Sequence, residues 1–281
     1  MTDSTENPTH EQQVGNRGAE NAVLDRVDPV TPAAPPRQNL HVIYRICALE
    51  SPKPRPLWYS KLTCLKSLMN ALDKLPDATL WIISDGDLPT YFPLDYFGLP
   101  RTELFRAKNK RVGNCESFLY SLHRALQYPD DDVVYFVEDD YLHLPMALVK
   151  LIESFEYGFS YATLYDHPAR YDRSDLEDQR NPSLECWNTH HWRTIESICM
   201  TFAARVGNLR EDQEIIRLYL NGEYPQDRRM WHHIQGIGGF ENPNPKRLWG
   251  AIPALATHCE TAWLSPTIDW AKVAREVTCG E

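Results

Sequence analysis

Residues 133–141 read Val-Val-Tyr-Phe-Val-Glu-Asp-Asp-Tyr. A short β-branched and aromatic run bounded by polar residues reads as a buried strand, and three carboxylates follow directly at its end. Three adjacent carboxylates repel one another. Folding tolerates them where a cation or a network of donors neutralises them, or where water screens them. The stretch therefore ends either in a solvated turn or in a metal site.

The flanking segments supply the context for that strand. Residues 41–47 (His-Val-Ile-Tyr-Arg-Ile-Cys) make a first strand, followed by a loop broken by Pro52, Pro54 and Pro56. Leu62, Leu65, Leu68, Met69 and Leu72 recur at helical spacing, so one side of a helix over 59–74 faces a core. A strand over 79–84 stops at the turn signal Asp85-Gly86-Asp87. The pattern repeats with a short strand near 104–107 and a basic loop over 108–113. A helix over 115–127 follows, which Asn114 is placed to cap and which Phe118, Leu119, Leu122, Ala125 and Leu126 line on one side. After Pro145 a helix runs to about Phe155, and 160–165 is strand-like. Strands alternating with amphipathic helices imply an α/β fold with a mostly parallel sheet covered by helices on both faces. Ligands of such sheets sit at the strands' carboxyl ends, where both Asp85 and the triplet Glu138, Asp139 and Asp140 fall.

Length and charge narrow the function class. The 281 residues allow one large domain, read as 39–281 after a polar, Pro-ended tail over 1–38 that holds no apolar periodicity. A net charge of -10 argues against a partner bound mainly through phosphates, and so against nucleic acid. The polar start does not resemble a signal peptide, and no apolar run approaches the roughly 20 residues needed to span a bilayer, so a cytoplasmic protein is expected. Seven scattered cysteines without a CxxC pair suggest neither a zinc knuckle nor a disulfide framework. The adjacent pairs His190-His191 and His232-His233 point in divergent directions on a helix or strand, which discounts a zinc site.

The order of a strand, a helix, a strand ending in Ser84-Asp85-Gly86-Asp87, a Gly-containing loop to Asn114, a helix and an apolar strand closing on Glu138-Asp139-Asp140 resembles the nucleotide-binding half of glycosyltransferases with the GT-A fold. Inverting family 2 enzymes are the nearest type, and the resemblance covers roughly residues 40–220. It implies that the nucleotide-binding half spans about 39–145 and the acceptor-binding half about 146–281. It implies that Asp85 holds the base of the nucleotide and that Asp140, as the last carboxylate of the Asp-x-Asp motif, binds a divalent metal. Glu138, Asp139 and Asn114 join Asp85 on the donor side. Glu138 departs from the family, which usually has Asp there. The resemblance also implies a nucleotide-sugar donor, by family analogy UDP-linked, and a glycan, lipid-linked or small-molecule acceptor.

Expulsion of a diphosphate suits a hard cation such as Mn2+ or Mg2+ bound by carboxylate oxygens. Inverting transfer needs a base near the acceptor hydroxyl as well. By resemblance to the x-Glu-Asp motif, Asp212 takes that role and Glu211 the neighbouring acceptor contact. The same residues also read as a capping box, with Asn208 as cap and Glu211 three residues on. Asp212 shares a helical face with Ile215, Ile216 and Tyr219, which turns its carboxylate toward the apolar side. His258, delivered by a strand over 251–257, resembles in location the C-terminal His that supplies many GT-A enzymes with a further metal ligand; a hydrogen-bonded core His is the competing reading.

The aromatic residues of 166–193 suit stacking on sugar rings or packing on their own domain. The glycines of 236–239 read as a loop closing over the donor or as an ordinary connection. Competing functions are a retaining transferase, a fold-retaining binding protein without catalysis, a transferase on DNA bases and a sugar-nucleotide synthetase. The last usually carries a Gly-rich basic loop after the first strand, where this chain has a Pro-rich loop without Gly.

Overall fold

The computed structural model describes residues 38–87, 102–107, 111–172 and 182–279. The tail expected over 1–38 and the first part of the basic loop, 108–110, therefore lie almost wholly outside the described residues. Eleven strands and seven α-helices are found among them: β1 (Leu40–Cys47), α1 (Lys61–Leu72), β2 (Thr79–Asp85), β3 (Thr102–Ala107), α2 (Asn114–Ala125), β4 (Val133–Glu138), β5 (Tyr141–His143), α3 (Ala147–Glu156), β6 (Tyr161–Thr163), α4 (Ala169–Asp172), β7 (Leu184–Trp187), β8 (His190–Thr194), β9 (Phe202–Arg205), α5 (Val206–Leu218), α6 (Asp227–Gln235), β10 (Leu248–Ile252), β11 (Ala256–His258) and α7 (Trp270–Cys279).

Nine strands form one sheet in the order β3-β2-β1-β4-β9-β6-β10-β8-β7. All but β8 and β9 run in the same direction. The sheet is thus mostly parallel, as expected, and β9 is the exception that matters. It lies antiparallel between β4 and β6, so the chain leaves it at the amino end of the parallel strands. Its sequence, Phe-Ala-Ala-Arg, carries no alternation and little β-propensity, which hides it from a pattern reading.

Successive strand residues point to opposite faces, and β1 shows the two layers that result. Arg45 reaches Asn114 and Ser117 on α2, while Tyr44 lies beside Cys64 on α1. Helices α1, α3 and α7 pack together on one side, and α2, α5 and α6 on the other. Val133 to Val137 of β4 are wholly buried between these layers, with Phe136 against Phe118 and Phe202. Fully burying such side chains stabilises by about 1.5–3 kcal/mol each. At the β1–β4 boundary the strand order reverses, the point at which a crevice opens outside the carboxyl ends.

Several local expectations are corrected. Helix α2 begins at Asn114 and is preceded by Gly113 at φ 90, so Asn114 does not cap it; its side chain is drawn instead to Arg45. Helix α5 begins at Val206, two residues before Asn208, whose amide donates to the Ser160 carbonyl, so no capping box forms. The strand expected over 251–257 is two strands, because Pro253 has no N–H to continue a ladder. Within 166–193 a hairpin joins β7 to β8 through Asn188 and Thr189, both at positive φ. Among the described residues, no helix is long and apolar enough to cross a membrane.

Candidate active site

The acidic triplet lies at the end of β4 on the floor of the crevice, and each carboxylate has its own cation. The register of β1 on β4 sets Arg45 opposite Glu138, and Arg45 Nη2 lies 2.9 Å from Glu138 Oε1. Asp139 points to the other face. There its Oδ2 lies 2.8 Å from Lys61 Nζ at the start of α1 and accepts from the Cys47 N–H at 2.9 Å. Asp140 Oδ2 accepts from Arg55 Nη2 and contacts His258 Nε2, each at 3.0 Å. One-to-one pairing is how a fold keeps three adjacent carboxylates at low dielectric.

The environments push the two aspartates apart. Burial, opposed by Lys61 but reinforced by Asp140, raises the pKa of Asp139 to about 6. Burial acts on Asp140 too, but His258 and Arg55 more than offset it and hold its carboxyl well below the usual range. Asp140 is the carboxylate that stays ionised, which a metal ligand requires.

His258 arrives through β11, which pairs antiparallel with β5 and sets His258 opposite Tyr141. Its ring lies against that of Tyr141 at 5.3 Å, and its Nδ1 is 3.9 Å from Glu260 Oε2. One carboxylate oxygen and one imidazole nitrogen thus converge at one point. Among the described residues no cluster of three or more His, Cys, Asp or Glu is spaced to hold a metal. Two protein groups fit Mg2+ or Mn2+ chemistry, in which waters and phosphate oxygens complete the shell, rather than a closed structural site.

Asp85 ends β2 level with Cys47. Its Oδ1 accepts from the Val112 N–H at 2.6 Å and its Oδ2 from the Gly113 N–H at 3.2 Å, so it ties the end of the basic loop to the sheet. Asp85 and the triplet line one hollow of about 510 Å³, the shared crevice expected from sequence, together with Arg45, Lys61 and Asn114. A second hollow of about 450 Å³ shares Lys53, Asn114 and Glu138 with the first and extends past His258 to Tyr165, Trp263 and Asp227. The two volumes are contiguous across Glu138.

Asp212 and Glu211 are not at this site. Asp212 is buried, its Oδ1 2.9 Å from Lys246 Nζ and its Oδ2 accepting from the Tyr161 hydroxyl at 2.6 Å. Glu211 Oε2 lies 3.0 Å from the same Lys246 Nζ. Tyr161 opens β6 and Lys246 precedes β10, so both acids sit at the amino ends of the parallel strands, opposite the crevice. The apolar face was legible; the end of the sheet was not, because antiparallel β9 delivers α5 from below.

Asp227, the first residue of α6, lines the second hollow instead. Burial, with Glu138 adding to it against the Arg228 N–H, raises its pKa. Among the described residues no cation pairs with it. The signal for it was a helix start, an acid just after Pro225-Gln226 and ahead of Met230 and Trp231.

No protein-family model and no curated protein sequence matches the chain. Among solved structures, that of GalNAc-T7 with UDP, GalNAc and Mn2+ is similar at a TM-score of 0.51 and 10% identity, covering 87% of this chain and 48% of that one. The chain thus spans about half the length of the GalNAc-T7 structure it matches. Residues 1–349 of S. aureus TarS match at a TM-score of 0.47 and 13% identity over 86% of this chain and 65% of that one. A CMP:2-keto-3-deoxy-manno-octonic acid synthetase with CTP matches at 0.48 and 11% over 87% and 100%. The likeness to GalNAc-T7 establishes the GT-A-like fold.

Proposed function

We propose that the chain transfers a glycosyl group from a nucleotide-sugar, UDP-linked, to an acceptor hydroxyl with inversion, assisted by a divalent cation. The observation that carries this reading is the convergence of Asp140 and His258, 3.0 Å apart, at the junction of two contiguous hollows on the carboxyl side of the sheet. The similar GalNAc-T7 structure holds UDP and Mn2+, which supports the choice of nucleotide and ion.

Bound on Asp140 and His258, Mn2+ or Mg2+ would neutralise the charge that develops on the departing diphosphate. The chain's own residues do the rest. Lys61 and Arg45 hold Asp139 and Glu138 in place, and Asp85 fixes Val112 and Gly113 at the edge of the nucleotide hollow. Asn114, braced by Arg45 Nη1 at 2.7 Å, stands at the boundary with the acceptor hollow. Asp227 accepts the proton of the acceptor hydroxyl as its oxygen bonds to the anomeric carbon and the bond from that carbon to the diphosphate breaks. Its raised pKa brings it closer to the working pH, which a general base requires. In a retaining transfer by front-face displacement the departing diphosphate, not Asp227, would take that proton, and the anomeric configuration of the product, read by NMR, separates the two.

Thermal shift with nucleoside diphosphates tests the reading. A ligand at 100 times its Kd stabilises the folded state by about 2.7 kcal/mol. UDP with Mn2+ should raise the melting temperature and Mn2+ alone should do so less. If no nucleoside diphosphate changes it under any metal condition, the reading is wrong.

A further inference from the structure

The second hollow carries a guanidinium that none of the carboxylates lining it bonds: Glu138 is held by Arg45, and Asp227 makes no ion pair with it among the described residues. Arg170 on α4 donates through Nη2 to the neutral Ser197 carbonyl at 2.7 Å, and its Nη1 is buried without a hydrogen-bond partner. The carboxylate nearest in charge, Asp166, is taken on both oxygens, Oδ1 by Arg193 Nη2 at 2.6 Å and Oδ2 by the Tyr171 hydroxyl. Glu196 is paired with Arg228 at 3.1 Å and Glu260 with Lys53 at 3.3 Å. Among the described residues no carboxylate bonds Arg170. Burial pulls its pKa down to about 10 against Asp166, with Arg193 adding to the fall, as befits a cation short of counter-charge. A buried charge left without a partner costs stability, and an anion from outside relieves that cost. The planar fork of an Arg matches a carboxylate or a phosphate.

An aromatic platform lies beside it. Trp263 is 38% exposed, yet its backbone is held at both ends: its carbonyl accepts from the Tyr165 hydroxyl at 2.6 Å and its N–H donates to the Glu260 carbonyl at 2.8 Å. The His167 ring lies 4.9 Å from that of Trp263. Burial, with Arg170 and His258 adding to it, lowers the pKa of His167 to about 4, so the ring is neutral. Its Nδ1 accepts from the Ala169 N–H at 3.1 Å, which leaves the proton on Nε2 as a donor for a hydroxyl. An aromatic face, an N–H donor and an unmatched guanidinium in one hollow complement a pyranose that carries an anionic group.

We infer that the acceptor is an anionic saccharide, its ring on Trp263 and its carboxylate or phosphate on Arg170. This rests on the transferase reading and deepens it, since Asp227, the proposed base, lines the same hollow.

The test is calorimetric titration of the full chain, with UDP and Mn2+ present, using methyl β-D-glucuronide, glucose 6-phosphate and methyl β-D-glucoside. One of the two anions should bind at least roughly tenfold tighter than the neutral glucoside, and which one does so distinguishes carboxylate from phosphate. Trp263→Ala should weaken that anion roughly tenfold, and Arg170→Gln should level charged and neutral sugars. If Arg170→Gln fails to fold, the wild-type preference and Trp263→Ala still decide. Equal binding of the neutral sugar, indifference to Trp263→Ala, or competition between the anion and UDP overturns the inference. A melting-temperature rise with UDP and no preference for an anion sinks this inference alone, whereas no rise with any nucleotide sinks the transferase reading itself.

Discussion

His258 Nε2 lies 3.0 Å from Asp140 Oδ2 although 118 residues separate them, because the pairing of β11 with β5 sets His258 opposite Tyr141, the next residue along from Asp140. Strand pairing rather than a flexible loop delivers His258, so the two proposed ligands lie together without an ion. Loss of a partner that merely orients a ligand costs roughly 10–100-fold in metal affinity, and loss of a ligand should cost at least as much. Asp140→Asn and His258→Ala should each weaken Mn2+ binding by at least that factor in electron paramagnetic resonance titrations with UDP present. Unchanged Mn2+ affinity in either variant rules out the pair as the metal site.

Arg55 contacts the same oxygen of Asp140, donates through Nη1 to the Cys259 carbonyl at 2.8 Å and lies over the Tyr59 ring. A guanidinium and a dication would compete for one carboxylate, so in the proposed site Arg55 would lower the metal affinity until a diphosphate offered it another partner. Arg55→Met should therefore bind Mn2+ on the order of tenfold tighter than the wild type without nucleotide, a difference of about 1.4 kcal/mol. The gain should shrink when UDP is added. A variant with weaker or equal Mn2+ binding would show that Arg55 supports the site instead.

Asp227 and Asp212 are separated by a pair of substitutions. Asp227→Asn keeps the shape and removes the proton acceptor, and should lower kcat by roughly 10²–10⁴-fold while UDP still raises the melting temperature. Asp212→Asn loosens the bonds to Lys246 and Tyr161 at the far end of the sheet. It should cost about 1–3 kcal/mol of stability in urea unfolding with kcat little changed. The reverse pattern would return the base to Asp212.

These contrasts trace what the sequence made legible. The short run before Glu138 identifies a buried strand because it is β-branched and aromatic throughout and bounded by acids, and the carboxyl-end rule then brings Asp85 into the same crevice. The cations that neutralise the triplet were out of reach. Arg45 and Arg55 stand 93 and 85 residues from their carboxylates, and no local pattern encodes such pairings. The misplacement of Asp212 has one cause, the unrecognised strand β9: with a parallel strand in its place, α5 would start at the crevice. His258 was reached only by family resemblance, since the β11–β5 register that positions it has no signature in a lone His.

His143, at the end of β5, is fully buried and governs part of the acid stability. Its Nε2 lies 3.0 Å from the Tyr135 hydroxyl and its Nδ1 has no hydrogen-bond partner. Burial, opposed only by the Tyr141 backbone, lowers its pKa from 6.5 to about 3. Between those values the unfolded chain takes up a proton that the folded chain refuses, so the unfolded state binds more protons and stability falls as the pH drops. The penalty is absent above about pH 6.5, grows through pH 5 and levels off near pH 3. Unfolding midpoints in urea should fall across that window for the wild type. In His143→Gln, whose side chain does not titrate, the fall should be shallower even if the variant is less stable at pH 7. Parallel profiles for the two proteins would mean that other groups, such as the Asp140 carboxylate held low by His258 and Arg55, carry the acid response.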